Sequence, residues 1–286
     1  MRILSVLGFL FLAPLAGGLL DGMDRKLSAR MQRRVGPPLL QPFYDLKKLF
    51  AKQMITVNNV QFLLNLSYLV FIMISGALLF AGTDILMCLF ILSTADMFLI
   101  LSATSDSSPY SNMGASRELV QLMAYEPLTL LVAVGFYLTT GSFQVDNIIS
   151  RPVSSLLFMP GMLIGFLFSA TIKFRKSPFD LSTSHHAHQE MVKGLTTEMS
   201  GLNLAIMTIA EYYETILLLG IFALFILNRN PVSIVLAVVF CLAIYFVEIL
   251  VDNACSRVKW NTMLWGCWLV TLLTAGINLF VLMLIH

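Results

Sequence analysis

Apolar runs of about 20 residues recur from one end of this chain to the other. At about 1.5 Å per residue, each is long enough to cross about 30 Å of hydrocarbon as a helix. Eight spans are expected, at about 2–22, 60–81, 84–104, 116–140, 153–172, 200–227, 231–252 and 261–285. Gly82-Thr83 separates the second from the third. The expected fold is an all-α polytopic membrane protein, with residues 1–286 as a single integral membrane domain. Composition agrees: 58% of residues are hydrophobic and 12% are charged. A soluble domain of this size carries about twice that charge. The opening "MRILSVLGFLFLAPLAGGLL" has a weak basic start and a long apolar run, so it reads as an uncleaved first helix rather than a signal peptide. No internal repeat is visible, which argues against a secondary transporter.

Basic residues set the expected orientation. Of 18 Lys and Arg, 15 fall in the connections between spans 1–2, 3–4, 5–6 and 7–8; Arg2, Arg151 and Arg229 lie on the other side. Such a bias places those connections in the cytoplasm and both termini outside. Two connections are long, 24–58 and 173–199. The first carries eight basic residues, and its half from Leu39 to Phe50 puts Leu39, Phe43, Leu46 and Phe50 on one helical face. That pattern suits an interfacial amphipathic helix. It fits binding to anionic lipid headgroups, and it fits docking of a cytoplasmic partner. "VGPP" ahead of it fixes a rigid turn.

Seven carboxylates fall within or at the ends of spans: Asp96, Glu118, Glu126, Glu211, Glu214, Glu248 and Asp252. A charge at the bilayer centre costs roughly 3 kcal/mol or more, so such groups face protein or water and mark ion paths. Glu118 and Asp252 also fit plain surface positions near helix ends. Glu211 and Glu214 are three apart and Glu248 and Asp252 four apart, each pair on one helical face. Like charges that close do not both ionise in a low dielectric, so one of each pair is expected to hold a proton near neutral pH. Basic partners inside the spans are scarce, so ion pairing is not expected to account for these acids. They are expected to form a proton path.

The connection 173–199 holds "SHHAHQE", with His185, His186, His188 and Glu190. Histidine titrates near neutral pH, so this group could exchange protons at the mouth of that path. His186 and Glu190 are also spaced as a ligand pair on a helix, and a solvated polar loop is the plain alternative. Ser177, Pro178 and Asp180 fit a capping box, with Asp in place of Glu. The four cysteines, Cys88, Cys241, Cys255 and Cys267, form no C-x-x-C pair and read as packing residues. An iron–sulfur cluster normally needs four thiolates together, so no redox centre is expected in this chain, and no residue is assigned as a metal ligand.

Three stretches carry a resemblance. "RRVGPPLLQPFYDLKKL", "GASRELVQLMAYEPL" and "KSPFDL…QEMVKGLTTEMSG…AEYYE" resemble the signatures of the membrane subunit that walls the quinone chamber of respiratory complex I. The resemblance covers essentially the whole chain. It implies eight helices with an amphipathic segment after the first. In the complex I branch the loop after "PFDL" is short and acidic; here it is about three residues longer and bears histidines. That departure resembles the membrane anchor of energy-converting (group 4, Ech-type) NiFe hydrogenases. For site residues, the resemblance assigns Glu126 to the cavity-side glutamate of the fourth helix, Asp180 and Glu190 to the acids of the 5–6 connection, and Glu198 to the glutamate before the sixth helix. It assigns Glu211 and Glu214 to the lateral path, and the segment with Arg30, Arg33, Arg34, Gln41 and Asp45 to docking.

The same resemblance implies the partners: peripheral hydrogenase large and small subunits, an iron–sulfur subunit and an antiporter-like membrane subunit. It places the NiFe centre and 4Fe–4S clusters in those partners and the chain in a prokaryotic cell membrane, with no nucleic-acid partner. The expected role is coupling of ferredoxin-dependent H2 chemistry to proton or Na+ movement. A quinone-site subunit of complex I is the alternative, and a stand-alone transporter a third.

Overall fold

Each apolar run folds as a helix, because a helix satisfies its own backbone hydrogen bonds where no water is available. The structure, a computed structural model, describes residues 2–53, 58–176, 178–179, 182–183 and 193–285. The helices are α1 (Arg2–Met31), α2 (Gln41–Ala51), α3 (Asn59–Phe80), α4 (Ile85–Thr104), α5 (Pro109–Thr140), α6 (Val145–Ile149), α7 (Pro160–Lys173), α8 (Gly201–Leu224), α9 (Val232–Ala254), α10 (Trp260–Val270) and α11 (Ile277–Ile285). A π-helical turn, Thr271–Gly276, joins α10 to α11 in one apolar rod. The described residues contain no β-strand.

Among the described residues, seven helices are long and apolar enough to cross a membrane, the α10–α11 rod counting as one. The fifth expected span is a correction. Its helix covers only Pro160–Lys173, 14 residues, or about 21 Å at 1.5 Å per residue. A proline disfavours helical backbone in the residue before it, and Met159 takes φ −125° and ψ 42°, so the helix starts at Pro160. The residues ahead form a 3-10 turn, Ser155–Leu157, and Leu156 N–H donates to Phe225 O at 2.8 Å. The first helix errs the other way. It continues to Met31, well past the expected end at residue 22, so part of the basic connection is helix rather than loop.

α8 stands at the centre, packed by α1, α2, α3 and α9. Its apolar core is 61% buried, against 28% for α9 and 22% for the α10–α11 rod. Small residues let α1 come close. A Cβ on Gly17 would lie 2.6 Å from Tyr212 O of α8, and one on Gly18 would lie 2.7 Å from the Phe43 ring of α2. Membrane helices commonly use small residues for such approach. α2 is the expected amphipathic helix, with its inward face shifted. Pro42 is buried and Phe43, Leu46 and Leu49 half-buried, whereas Leu39 and Phe50 are exposed.

Candidate functional site

The ionisable groups gather where α7 runs out. Lys173 is its last residue, yet its side chain is only 5% exposed. Nζ donates to Asp96 Oδ2 of α4 at 2.6 Å and to Glu214 Oε1 of α8 at 2.7 Å. Two hydroxyls complete the group. Tyr125 of α5 donates to Asp96 Oδ2 at 2.8 Å, and Tyr68 of α3 donates to Glu214 Oε2 at 3.1 Å. The ammonium also stands 4.9 Å from the Tyr125 ring centroid, within cation–π range. Buried charges persist when they are paired and hydrogen-bonded, and here each carboxylate has both a cation and a hydroxyl.

Two residues on, the chain reverses. Arg175 takes φ +53°, a left-handed backbone that costs a non-glycine residue about 1–3 kcal/mol. The turn aims its guanidinium inward. Nη1 donates to Glu211 Oε1 of α8 at 2.8 Å and to Thr183 Oγ1 at 3.3 Å, and Nη2 lies 3.6 Å from Glu118 Oε1 of α5. Ser182 donates to the other oxygen of Glu118. Burial works against the Arg175 charge, but Glu118 and Glu211 outweigh it and raise its pKa above the usual guanidinium value. Lys176, the next residue, pairs with Asp24 of α1. Arg25 pairs with Asp21 and with Asp45, at 2.9 Å each, and so ties α1 to α2.

These groups border two cavities. One, of about 340 Å³, is lined by Lys173, Arg175, Glu211, Glu214, Thr208 and Tyr212, among others. The second, of about 390 Å³, lies against Gln32, Arg34, Pro37 and Asp252. Asp21, Asp24, Arg25 and Lys176 line both.

A further buried polar cluster lies toward the start of α3. Asn203 of α8 donates to Gln61 Oε1 at 2.8 Å and its Oδ1 accepts from Asn65 at 2.5 Å. Gln61 in turn donates to Asp106, in the turn after α4. Gln61, Asn65 and Tyr68 are spaced four and three apart, so one face of α3 is polar along its inner length. Sequence reasoning passed over this stripe, though the spacing of Gln61 and Asn65 inside an apolar run was its signal.

The expected proton-path acids divide. Asp96, Glu118, Glu211 and Glu214 come together around Lys173 and Arg175. That overturns the expectation that ion pairing does not account for them. Lys173 and Arg175 lie just past an apolar run and read as loop residues, but the turn folds them back inside. Glu126 stands apart, half-buried in a groove with Met123, Leu130, Leu264 and Trp268. Glu248 is fully buried on α9, and neither carboxyl oxygen has a hydrogen-bond partner among the described residues. Asp252 is half-buried beside the second cavity.

In the docking segment, Arg30, Arg33 and Arg34 are exposed, and Gln41 donates to Asp45 at 2.9 Å. Glu198, half-buried just before α8, acts electrostatically on Asp106. Asp180, His185, His186, His188 and Glu190, with the Ser177 cap, lie outside the described residues. The four cysteines are dispersed over α4, α9, the turn after α9 and α10. Among the described residues, no group of three or more His, Cys, Asp or Glu is placed to hold a metal ion.

The family described as NADH dehydrogenase matches residues 3–283, and the chain belongs to it. It is 29% identical to a NADH-quinone oxidoreductase subunit of Carboxydothermus hydrogenoformans over 74% of this chain and 65% of that protein. It is also 29% identical to hydrogenase-4 component C of Escherichia coli (strain K12), over 66% of this chain and 64% of that protein. The chain thus spans just under two thirds of the length of each of these relatives. Its fold matches a chain of the membrane-bound sulfane sulfur reductase, an archaeal respiratory membrane complex, with a TM-score of 0.85. That match covers 98% of this chain and 99% of the other at 21% identity. The resemblance read from the three signatures therefore holds at the level of the family. The chain is a multi-pass membrane protein of the complex I-like type.

Proposed function

We propose that this chain is the anchoring and coupling subunit of an energy-converting NiFe hydrogenase complex in a prokaryotic cell membrane. The observation that carries the coupling role is the cluster of four carboxylates around Lys173 and Arg175. Two cations against four acids leave two negative charges uncompensated when all are ionised. Such a cluster takes up or releases protons when a charge changes above it. The hydrogenase branch is favoured by the long His-bearing loop and by the relationship to hydrogenase-4 component C.

In this reading the basic connections face the cytoplasm and both termini face outward. Arg30, Arg33, Arg34 and α2, held by Arg25 and Asp45, receive the peripheral hydrogenase and iron–sulfur subunits. Those partners carry the NiFe centre and the 4Fe–4S clusters. The connection with Asp180, His185, His186, His188, Glu190 and Glu198 is assigned the coupling of those partners to the cluster. A charge change above shifts the balance at Glu118 and Glu211 first, because Arg175 is nearer the loop. Lys173 then redistributes between Asp96 and Glu214, and protons or Na+ leave toward an antiporter-like membrane partner.

Purification of the tagged chain in mild detergent tests the branch. Co-purifying nickel and H2-dependent viologen reduction are the expected result. Flavin, NADH oxidation and inhibitor-sensitive quinone reduction would move it to the quinone-reducing branch, which the relationship to the Carboxydothermus oxidoreductase supports. Glu211→Gln is expected to abolish ion pumping while peripheral electron transfer persists. Equal loss of both in an assembled complex would sink the coupling role.

A further inference from the structure

Glu248 is the most deeply buried of the membrane acids that the cluster leaves unused. It is fully buried, and neither of its carboxyl oxygens meets a donor among the described residues. Of the described charges, Lys176 acts on it attractively and Asp252, one turn along α9, repulsively. Lys176 is already engaged by Asp24 of α1 and stands 5.8 Å from the ring centroid of Tyr245, on α9 near Glu248. One cation therefore lies within the field of two carboxylates and bonds to one of them.

Its position gives that choice a consequence. The two cavities share the lining residues Asp21, Asp24, Arg25 and Lys176. Arg25 pairs with Asp21 on its own helix and with Asp45 on α2. The shared ion pair that spans from α1 to the turn after α7 is Lys176–Asp24. The 340 Å³ and 390 Å³ spaces meet along these shared residues, that pair among them.

We propose that Lys176 is a two-position cation, closing the passage between the two cavities when it bonds Asp24 and opening it when it bonds Glu248. Glu248 competes for Lys176 only when ionised. A proton on Glu248 leaves the ammonium with Asp24 and the passage shut. Loss of that proton draws the ammonium toward α9 and joins the cavities into one wet passage. The ionisable groups around the switch are Asp21, Asp24 and Arg25 on α1, Arg34 after it, Lys173 and Arg175 at the end of α7, Lys193 before α8, Glu211, Tyr212 and Glu214 on α8, and Tyr245 and Asp252 on α9. The device works the same way whichever redox module lies above it.

The test reads access to the inner cavity in the assembled complex in membranes. A Thr208→Cys variant places a thiol in that cavity. Its labelling by a small charged thiol reagent is divided by that of the exposed Cys255, which corrects for reagent and time, and the same ratio in the Glu248→Gln background sets the pH dependence of the introduced thiol itself. The ratio is expected to rise with pH several-fold more than in that background. Asp24→Asn added to it gives a high ratio at all pH, Glu248→Gln a low one, and Asp24→Glu restores the rise. A pH rise no larger than that of Glu248→Gln, or a ratio unmoved by Asp24→Asn, overturns the switch. Should Asp24→Asn fail to assemble, Lys176→Gln removes the same pair from the other side and must likewise give the high ratio.

Discussion

The acids of α4, α5 and α8 and those facing α9 and α10 meet the same hydrocarbon in different ways. Asp96, Glu118, Glu211 and Glu214 are drawn onto two cations that enter from the end of α7. Glu248 on α9 has no such bond among the described residues, and Glu126 faces an open groove walled on one side by α10. For Glu248 the difference follows the helix, whereas Glu126 shares α5 with Glu118 and differs by the face it occupies. In the most apolar 18-residue stretch of each, 61% of residues are buried in α8, against 28% in α9 and 22% in the α10–α11 rod. An acid in the crowded centre is solvated by protein. An acid on the flank waits for something else, a mobile lysine for Glu248 or another surface for Glu126.

Substitutions break this contrast in order of size. Lys173→Met strands Asp96 and Glu214 without a cation, and removing one partner of a buried pair costs about 3–5 kcal/mol. Loss of complex assembly, or a large fall in Tm of the purified complex, is the expected reading. Arg175→Gln should cost less, about 2 kcal/mol, because of its two partners Glu211 is 37% exposed and screened and the buried Glu118 lies at the longer distance of 3.6 Å. Thermal unfolding of the two variants side by side ranks them, and a reversed order would mean that Arg175 is the true anchor. On the flank the sign inverts. Glu248→Met removes an unsatisfied buried group and should stabilise by about 1–3 kcal/mol, read as a raised Tm. A Tm lowered by that change would show that Glu248 already has a stabilising partner.

A smaller effect belongs to Asp106. Burial pushes its carboxyl up, and the Glu198 charge adds to this, while the bond from Gln61 works the other way. A carboxyl whose folded pKa exceeds its unfolded value binds more protons when folded. Its contribution to stability is therefore fully present below the unfolded pKa and is lost as pH rises through the folded one. Asp106→Asn should flatten the fall in Tm across that window and leave acidic values unchanged. Glu126→Gln should change the Tm of the isolated chain least, since the group is half-buried in an open groove.

Much of this was legible without coordinates. The apolar runs dictated helices, since lipid offers the backbone no other partner. The acids were conspicuous because charge in such runs is rare, and the three signatures placed the chain in its family. What eluded the sequence was pairing. Lys173 and Arg175 sit where a run ends, and nothing local says whether such residues reach toward water or fold back. That depends on Met159-Pro160 shortening α7, on the left-handed turn at Arg175, and on four other helices presenting acids and hydroxyls at the same depth.

The sequence by itself thus determined the helical membrane fold, the residues able to carry charge through it, and the amphipathic segment that lies beside it. Only the tertiary structure decided which acids have a cation and which are left waiting. Helix formation is set by neighbours in the chain and by the solvent. An ion pair between residues 41 or 77 positions apart, as at Glu214 and Asp96 with Lys173, exists only once packing has brought them within hydrogen-bonding distance.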